Sequence, residues 1–196
     1  MEKPKRIVIF ASGSGTNAEN IIQYFKKTNI AKVVLVLSNK REAQVLERAK
    51  NLGVEAIYFT KKELYSSDFI LKIIKKAQPD LIVLAGFLLK FPENILQEFP
   101  NKVINIHPAL LPKYGGKGMY GNFVHQAVLQ NQEKESGISI HYVNENYDEG
   151  ALIFQKTTKI SPDDTAKTIA DKIHELEHEW FPKVIEGILS GGDGWQ

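Results

Sequence analysis

A three-layer α/β/α fold around a mixed, mostly parallel seven-stranded sheet is predicted by three features of the 196-residue sequence. Short β-branched runs recur along the chain, and the stretches between them have helical length and pattern. The runs Ile7–Phe10, Val33–Leu37 and Leu81–Leu84 are continuously apolar, as strands covered by helices on both faces of a parallel sheet must be. Only Asn144 to Gly150 separate the last two runs. A parallel crossover takes a dozen residues or more, so that pair is antiparallel and the sheet is mixed.

In chain order the strands are expected at Ile7–Phe10, Val33–Leu37, Ala56–Phe59, Leu81–Leu84, Val103–Ile106, Ile138–Val143 and Ala151–Phe154, so the first hundred residues read β-α-β-α-β-α-β. From Asp163 onward Ala166, Ile169, Ile173, Leu176, Trp180 and Val184 recur at spacings of three and four behind the start signal Ser161-Pro162-Asp163-Asp164. That pattern predicts an amphipathic C-terminal helix centred near Trp180 and kinked at Pro182. The segment Lys113–Gly121 holds four glycines in nine residues and is a candidate mobile loop. With no repeat or linker in view, residues 1–196 are expected to form one domain.

Composition narrows the chemistry. The chain has no cysteine, which excludes a disulfide framework, a thiolate nucleophile, an iron–sulfur cluster and any Cys-ligated zinc. Its 25 Lys and Arg against 23 Asp and Glu leave a net charge of +2, and only Arg6, Arg41 and Arg48 are arginines. That spread does not make the concentrated basic patch of a nucleic-acid binder. The apolar run after the basic start ends at Ser12-Gly13, short of the roughly 7 to 15 residues of a secretory segment. No run approaches the ~18 to 20 apolar residues of a membrane span, and the expected setting is the cytoplasm.

Three places could carry chemistry. The first strand runs into Ser12-Gly13-Ser14-Gly15-Thr16-Asn17 and then a helix, so backbone N–H groups and the positive helix end converge on a site suited to phosphate. The same residues fit a dinucleotide fingerprint, but the second strand ends Ser38-Asn39-Lys40-Arg41 without the acid that would hold a ribose; an NADP-type site using Arg41 stays open. The fifth strand ends Asn105-Ile106-His107-Pro108, and alternation puts an amide and an imidazole on one face at the carboxyl edge, where α/β sheets bind ligands. His141 and the acidic loop Asn144–Gly150 follow the sixth strand.

His174-Glu175-Leu176-Glu177-His178 matches the H-E-x-x-H zinc pattern. On a wheel centred near Trp180, however, both histidines point roughly 120° to 160° from the core, while Glu177 lies about 60° from it, at the core boundary. A metal site is not expected.

Taken together, Gly13-Ser14-Gly15-Thr16-Asn17, Ser38-Asn39-Lys40, Leu84-Ala85-Gly86-Phe87, Asn105-Ile106-His107-Pro108-Ala109-Leu110-Leu111-Pro112 and Asp148-Glu149-Gly150 resemble, in order and spacing, the phosphoribosylglycinamide formyltransferases of purine synthesis. The resemblance spans nearly the whole chain. It implies the formyltransferase fold with strand order 3-2-1-4-5-6-7 and the sixth strand reversed. It also implies transfer of the formyl group of 10-formyltetrahydrofolate to the amine of glycinamide ribonucleotide, with no metal.

Carried residue by residue, the resemblance implies that Gly15, Thr16 and Asn17 hold the ribonucleotide phosphate and that Glu177 meets its glycyl amine. Folate is expected along Leu88, Leu89, Lys90 and Phe91 and along Asn144, Glu145, Asn146, Tyr147 and Asp148, with Asn105 beside it and Lys62 near its tail. Leu88-Leu89 replaces the Met-Arg of familiar members, so backbone contacts are expected there. Asn105, His107 and Asp148 form the implied catalytic group. Asn105 and a protonated His107 would donate to the oxyanion, Asp148 holding His107 charged and relaying protons. Residues up to about 100 would then bind the ribonucleotide, and the remainder would hold folate and catalyse transfer. Formyltetrahydrofolate deformylase activity, a different amine acceptor and a non-catalytic phosphometabolite-binding protein are the alternatives.

Overall fold

The computed structural model describes residues 3–192; the two ends of the expected 1–196 domain lie outside it. The elements run β1 (Lys5–Phe10), α1 (Thr16–Thr28), β2 (Ala31–Ser38), α2 (Gln44–Asn51), β3 (Glu55–Tyr58), α3 (Lys61–Tyr65), α4 (Phe69–Ala77), β4 (Leu81–Leu84), α5 (Glu93–Glu98), β5 (Val103–His107), α6 (Asn122–Gln130), β6 (Glu135–Tyr142), β7 (Leu152–Lys159) and α7 (Ala166–Ser190). The seven strands form one sheet in the order β3-β2-β1-β4-β5-β6-β7. β1 to β5 pair in parallel, whereas β6 is antiparallel to both β5 and β7. The fold class and strand order expected from the sequence are therefore those observed.

Strand alternation divides the core into two layers. Ile7 and Ile9 of β1 face a cluster built with Ile21 and Phe25 of α1, Val45 of α2 and Ile169, Ile173 and Phe181 of α7. Val8 and Phe10 face the other side, with Leu64 of α3, Ile70 and Ile74 of α4 and Ile95 of α5. Side chains of this size contribute about 1.5–3 kcal/mol each when fully buried, so the two clusters together fix which helices flank each strand end. Phe10 also meets Phe87 and Phe91 edge to face, at ring-centroid distances of 5.3 and 5.1 Å, which anchors the segment after β4 to the end of β1.

Most strand ends differ from the sequence reading by a residue or two, and the larger differences, at β6, β7 and the start of α7, have physical reasons. β6 and β7 extend to Glu135–Tyr142 and Leu152–Lys159, well beyond their apolar runs. As an edge strand with one solvated face, β7 carries Gln155, Lys156, Thr157 and Thr158, so apolar continuity underestimates its length. α7 begins at Ala166 behind Thr165, whose hydroxyl accepts from the Thr168 N–H in a capping box, rather than at the upstream Ser-Pro-Asp-Asp. It continues through the buried Pro182 to Ser190. Its buried face runs Ile169, Ile173, Glu177, Phe181 and Val184, which on a wheel is centred near Val184, about 40° round from Trp180 toward Glu177. That rotation carries Glu177 from the expected core boundary to 6% exposure.

Candidate active site

The carboxyl ends of β1, β4 and β5 open into a cleft of about 590 Å³. The loop Ser12–Asn17 forms one wall, Asn105–Pro108 the floor, and Gly116–Gly121 the opposite wall, with His125 of α6, Asp148 of the β6–β7 loop and His174 and Glu177 of α7 closing the sides. A smaller cavity of about 60 Å³ adjoins it, lined by Leu89, Lys90, Phe91, His141, Val143, Asn144 and Asn146. Both cavities are lined by Phe87, Asn105, Tyr147 and Asp148, which places Asn105 and Asp148 where they meet.

At the first wall the binding groups come from the backbone. Gly15 caps α1 in the left-handed region at φ 77°, with no side chain capping the helix, so the first N–H groups of α1 are left for a ligand. A Cβ on Gly15 would lie 2.4 Å from the Val45 side chain, so glycine is required both for the turn and for the close approach of α2. Ser12 ties three strand ends together, donating to Asn39 Oδ1 at 2.6 Å and accepting from the Leu88 N–H at 3.0 Å. Lys40, rather than Arg41, lines the cleft.

Asn17 reaches across from α1 to α7. Its Nδ2 donates to Glu177 Oε2 at 2.8 Å, while its Oδ1 is buried without a partner. Burial pushes the Glu177 carboxyl well up from its ordinary value, against the Asn17 contact and the nearby His174. The two residues expected to hold opposite ends of a ribonucleotide are thus joined in one polar pair.

The floor is made of side chains. Antiparallel register sets Asn105 opposite His141 and His107 opposite Ser139. The Ser139 hydroxyl donates to the Ala109 carbonyl at 2.6 Å and accepts from the Leu111 N–H at 2.9 Å, fixing the chain that leaves β5 at Pro108. His107 Nε2 donates to the Tyr114 carbonyl at 2.7 Å, and its Nδ1 lies 3.6 Å from Asp148 Oδ2. That second separation is too long for a hydrogen bond and leaves Nδ1 the looser edge of the ring. Asp148, at φ 57°, accepts from the Gly116 N–H at 2.9 Å, which links it to the glycine-rich wall.

The charge state of His107 departs from expectation. Burial lowers its pKa below the usual imidazole range, and Asp148 and the Tyr114 carbonyl only partly offset that. A nearby carboxylate therefore does not by itself hold the ring charged, because at 3% exposure desolvation of the imidazolium is the larger effect. Asp148 goes the other way: burial alone would raise its carboxyl, but the His141 contact, His107 and the Gly116 N–H hold it below the ordinary value.

Of the residues the sequence nominated, Gly15, Thr16, Asn17, Leu88, Asn105, His107, Tyr147, Asp148 and Glu177 line the main cleft, and Leu89, Lys90, Phe91, Asn144 and Asn146 line the smaller cavity. Phe91 is buried against Phe10, and Leu88 is 39% exposed. Lys62 lies exposed on α3 and Glu145 exposed in the β6–β7 loop, and neither lines either cavity. His174 is exposed, as its wheel position predicts, yet it faces the cleft. Among the described residues no group of three or more His, Asp or Glu is arranged to hold a metal ion. Sequence reasoning placed Ser12 in the Gly-rich turn and Tyr114 in the glycine-rich loop but gave neither, nor His125, a role of its own in the site.

The family model described as formyl transferase matches residues 5–185. A Bacillus subtilis phosphoribosylglycinamide formyltransferase is 36% identical over 190 residues, covering 94% of this chain and 95% of that protein. The chloroplastic phosphoribosylglycinamide formyltransferase of Arabidopsis thaliana is 34% identical over 198 residues, covering 98% of this chain and 68% of that protein. The solved phosphoribosylglycinamide formyltransferase of Coxiella burnetii superposes with a TM-score of 0.86 at 37% identity, covering 96% of this chain and 88% of that one.

Proposed function

The chain belongs to the formyl transferase family, and from that premise we propose that it transfers the formyl group of 10-formyltetrahydrofolate to the amine of glycinamide ribonucleotide in purine synthesis. The observation that carries the reading is a single cleft holding an uncapped helix start at Gly15 and, across it, Asn105, His107 and Asp148. A phosphate at the first and a tetrahedral centre at the second are what an amine-bearing ribonucleotide and a formyl donor require.

In this reading Gly15, Thr16 and Asn17 bind the phosphate, and Glu177 receives the glycyl amine. Burial favours a neutral carboxyl at Glu177 in the free protein, and an amine brought against it is the partner that would favour its ionised form. The folate occupies the junction at Asn105, Tyr147 and Asp148 and extends along Leu88–Phe91 and Asn144–Asn146. Lys62 and Glu145 lie outside both cavities, so any contact they make is with the exposed tail. Residues to about 100 supply most of the ribonucleotide wall and those after it the transfer machinery, in a cytoplasmic setting.

Asp148, held ionised, takes the proton from the attacking nitrogen and returns it to the leaving nitrogen, so no net proton is gained or lost. His107 is neutral in the free cleft. As negative charge develops on the formyl oxygen, which supplies the counter-charge that burial otherwise denies, the ring takes up a proton from solvent at Nδ1, donates it as a hydrogen bond to the oxyanion, and releases it to solvent when the intermediate collapses. The test is a formyl-transfer assay on the purified protein with 10-formyltetrahydrofolate, with and without the ribonucleotide and after a chelator. Turnover that requires the ribonucleotide and survives chelation supports the reading; folate hydrolysis without an acceptor replaces it with a deformylase, and inactivity in both overturns it.

A further inference from the structure

The segment that follows β4 is held from behind at two points. At its start Ser12, 1% exposed, accepts through its hydroxyl from the Leu88 N–H at 3.0 Å while donating to Asn39 Oδ1. Two residues on, the hydroxyl of Tyr65, the last residue of α3, donates to the Lys90 carbonyl at 2.7 Å. Burial, and after it Tyr147 of the β6–β7 loop, push the Tyr65 phenol above its ordinary value, so at neutral pH it stays protonated and remains a donor.

The short helix α3 is anchored so as to deliver that hydroxyl. Thr60 caps it in a box with Glu63, Leu64 is buried in the same core layer as Phe10, and Phe59, just before the cap, stands against Phe10 and Phe87 at ring-centroid distances of 5.9 and 6.2 Å. Lys62 on this helix lies outside both cavities, whereas Tyr65 reaches the backbone that borders them. Between the two tethers the carbonyls of Leu88 and Leu89 and the N–H groups of Leu89 and Lys90 have no partner within the protein among the described residues. Leu88 lines the main cleft, and Leu89 and Lys90 line the smaller cavity. Free backbone groups serve a ligand best when their own positions are already fixed, because binding then carries no cost of ordering them.

We propose that Tyr65 is a positioning residue for the formyl donor: with Ser12 it fixes the Leu88–Lys90 backbone at both ends, so that the groups between meet a flat heterocycle in place. The role in donor binding rests on the formyl-transfer reading; the tether does not. The two hydroxyls differ in reach. Ser12 also joins β1 to β2 at the ribonucleotide wall, whereas the Tyr65 hydroxyl bonds only the donor segment. Their loss is therefore felt by different substrates.

Two measurements test it. In the transfer assay Tyr65→Phe, which keeps the ring, should raise the 10-formyltetrahydrofolate KM about fivefold, as expected for one lost hydrogen bond, with kcat and the ribonucleotide KM within about twofold. Ser12→Ala should raise both KM values. A donor KM within about twofold of the unmodified protein in either variant, or a ribonucleotide KM that rises equally in Tyr65→Phe, overturns the positioning role. The tether is read separately in the ligand-free, full-length protein labelled with ¹⁵N. There the backbone order parameters of Leu89 and Lys90 should lie near the rigid value of about 0.85 and fall in Tyr65→Phe, with those of β4 unchanged. Equal order parameters in the two proteins overturn the tether whatever the activity. Absence of transfer in the unmodified protein defeats the functional reading alone and leaves the order parameters to decide the tether.

Discussion

The loop Ser12–Asn17 and the strand pair β5–β6 line the same cleft, yet they are built in different ways. At the loop the binding groups are backbone N–H groups at the start of α1, and the side chains that matter serve mainly to shape the chain: Gly15 by its left-handed φ, Ser12 by joining β1 to β2 and β4. At β5–β6 the backbone is consumed by the sheet, and the proposed chemistry rests on side chains: register sets Asn105 opposite His141 and His107 opposite Ser139, and the loop after β6 brings in Asp148. A site made of backbone depends on conformation; a site made of side chains depends on chemistry. Mutations should therefore divide cleanly into those that change binding and those that change turnover.

The sharpest test is Asp148→Ala. With the proton acceptor gone, kcat should fall about 10³-fold, within the 10²–10⁴-fold typical of a positioned acid or base, while ribonucleotide affinity measured by calorimetry stays within about threefold. Affinity falling as far as kcat would break the division. Gly15→Ala is the converse. Added Cβ bulk 2.4 Å from Val45, on a residue at positive φ, should displace the loop and raise the ribonucleotide KM about tenfold or more, with a smaller loss of kcat at saturation. An unchanged KM would mean that the phosphate is held elsewhere.

The same contrast explains what could be read from the sequence. The phosphate wall is local: a strand, a Gly-rich turn and a helix are contiguous, and the glycine spacing announces them. The transfer floor is not. Asn105 and His107 could be placed on one face by alternation alone, but their pairing with His141 and Ser139 needs the register of β5 on β6, and β6 begins several residues before its apolar run. Tyr114 contributes only a carbonyl, which no residue-type pattern reveals. The resemblance to the formyltransferases supplied Asp148 as a partner of His107, yet not the balance of burial against charge that leaves His107 neutral. In α7 the helical period located the face to within about one residue, and that small rotation decided whether Glu177 is a boundary acid or a buried one.

Acid and base should also act on the two regions in opposite senses. Glu177 has a raised pKa, so folding is favoured by its neutral form: that contribution is complete below the ordinary carboxyl pKa and is lost as pH rises through the raised value. Glu177→Gln removes the ionisable carboxyl, so folding no longer has to keep it protonated, and keeps an acceptor for Asn17. In the ligand-free protein at neutral pH it should raise Tm by a few degrees, roughly the shift of 1 kcal/mol in a domain of this length, while weakening ribonucleotide binding. A lower Tm would show that the Asn17 contact outweighs the burial.

His125 supplies the matching test on the other wall, and the smallest effect. It is 4% exposed on α6, its Nδ1 has no partner, and burial, with His174 on α7 and His107 on β5 facing it, lowers its pKa to about 4. Because the folded value lies below the unfolded one of about 6.5, stability is whole above about pH 6.5 and is lost as pH falls toward about 4, where the unfolded chain takes up a proton the folded one resists. His125→Gln should therefore show a shallower fall in Tm between pH 7 and pH 5, by about a degree or two, whatever it does to Tm at pH 7. Thermal melts of the two proteins across that range decide it: parallel slopes would mean that the acid sensitivity of this wall resides in another group, with the His107–Asp148 pair the next to replace.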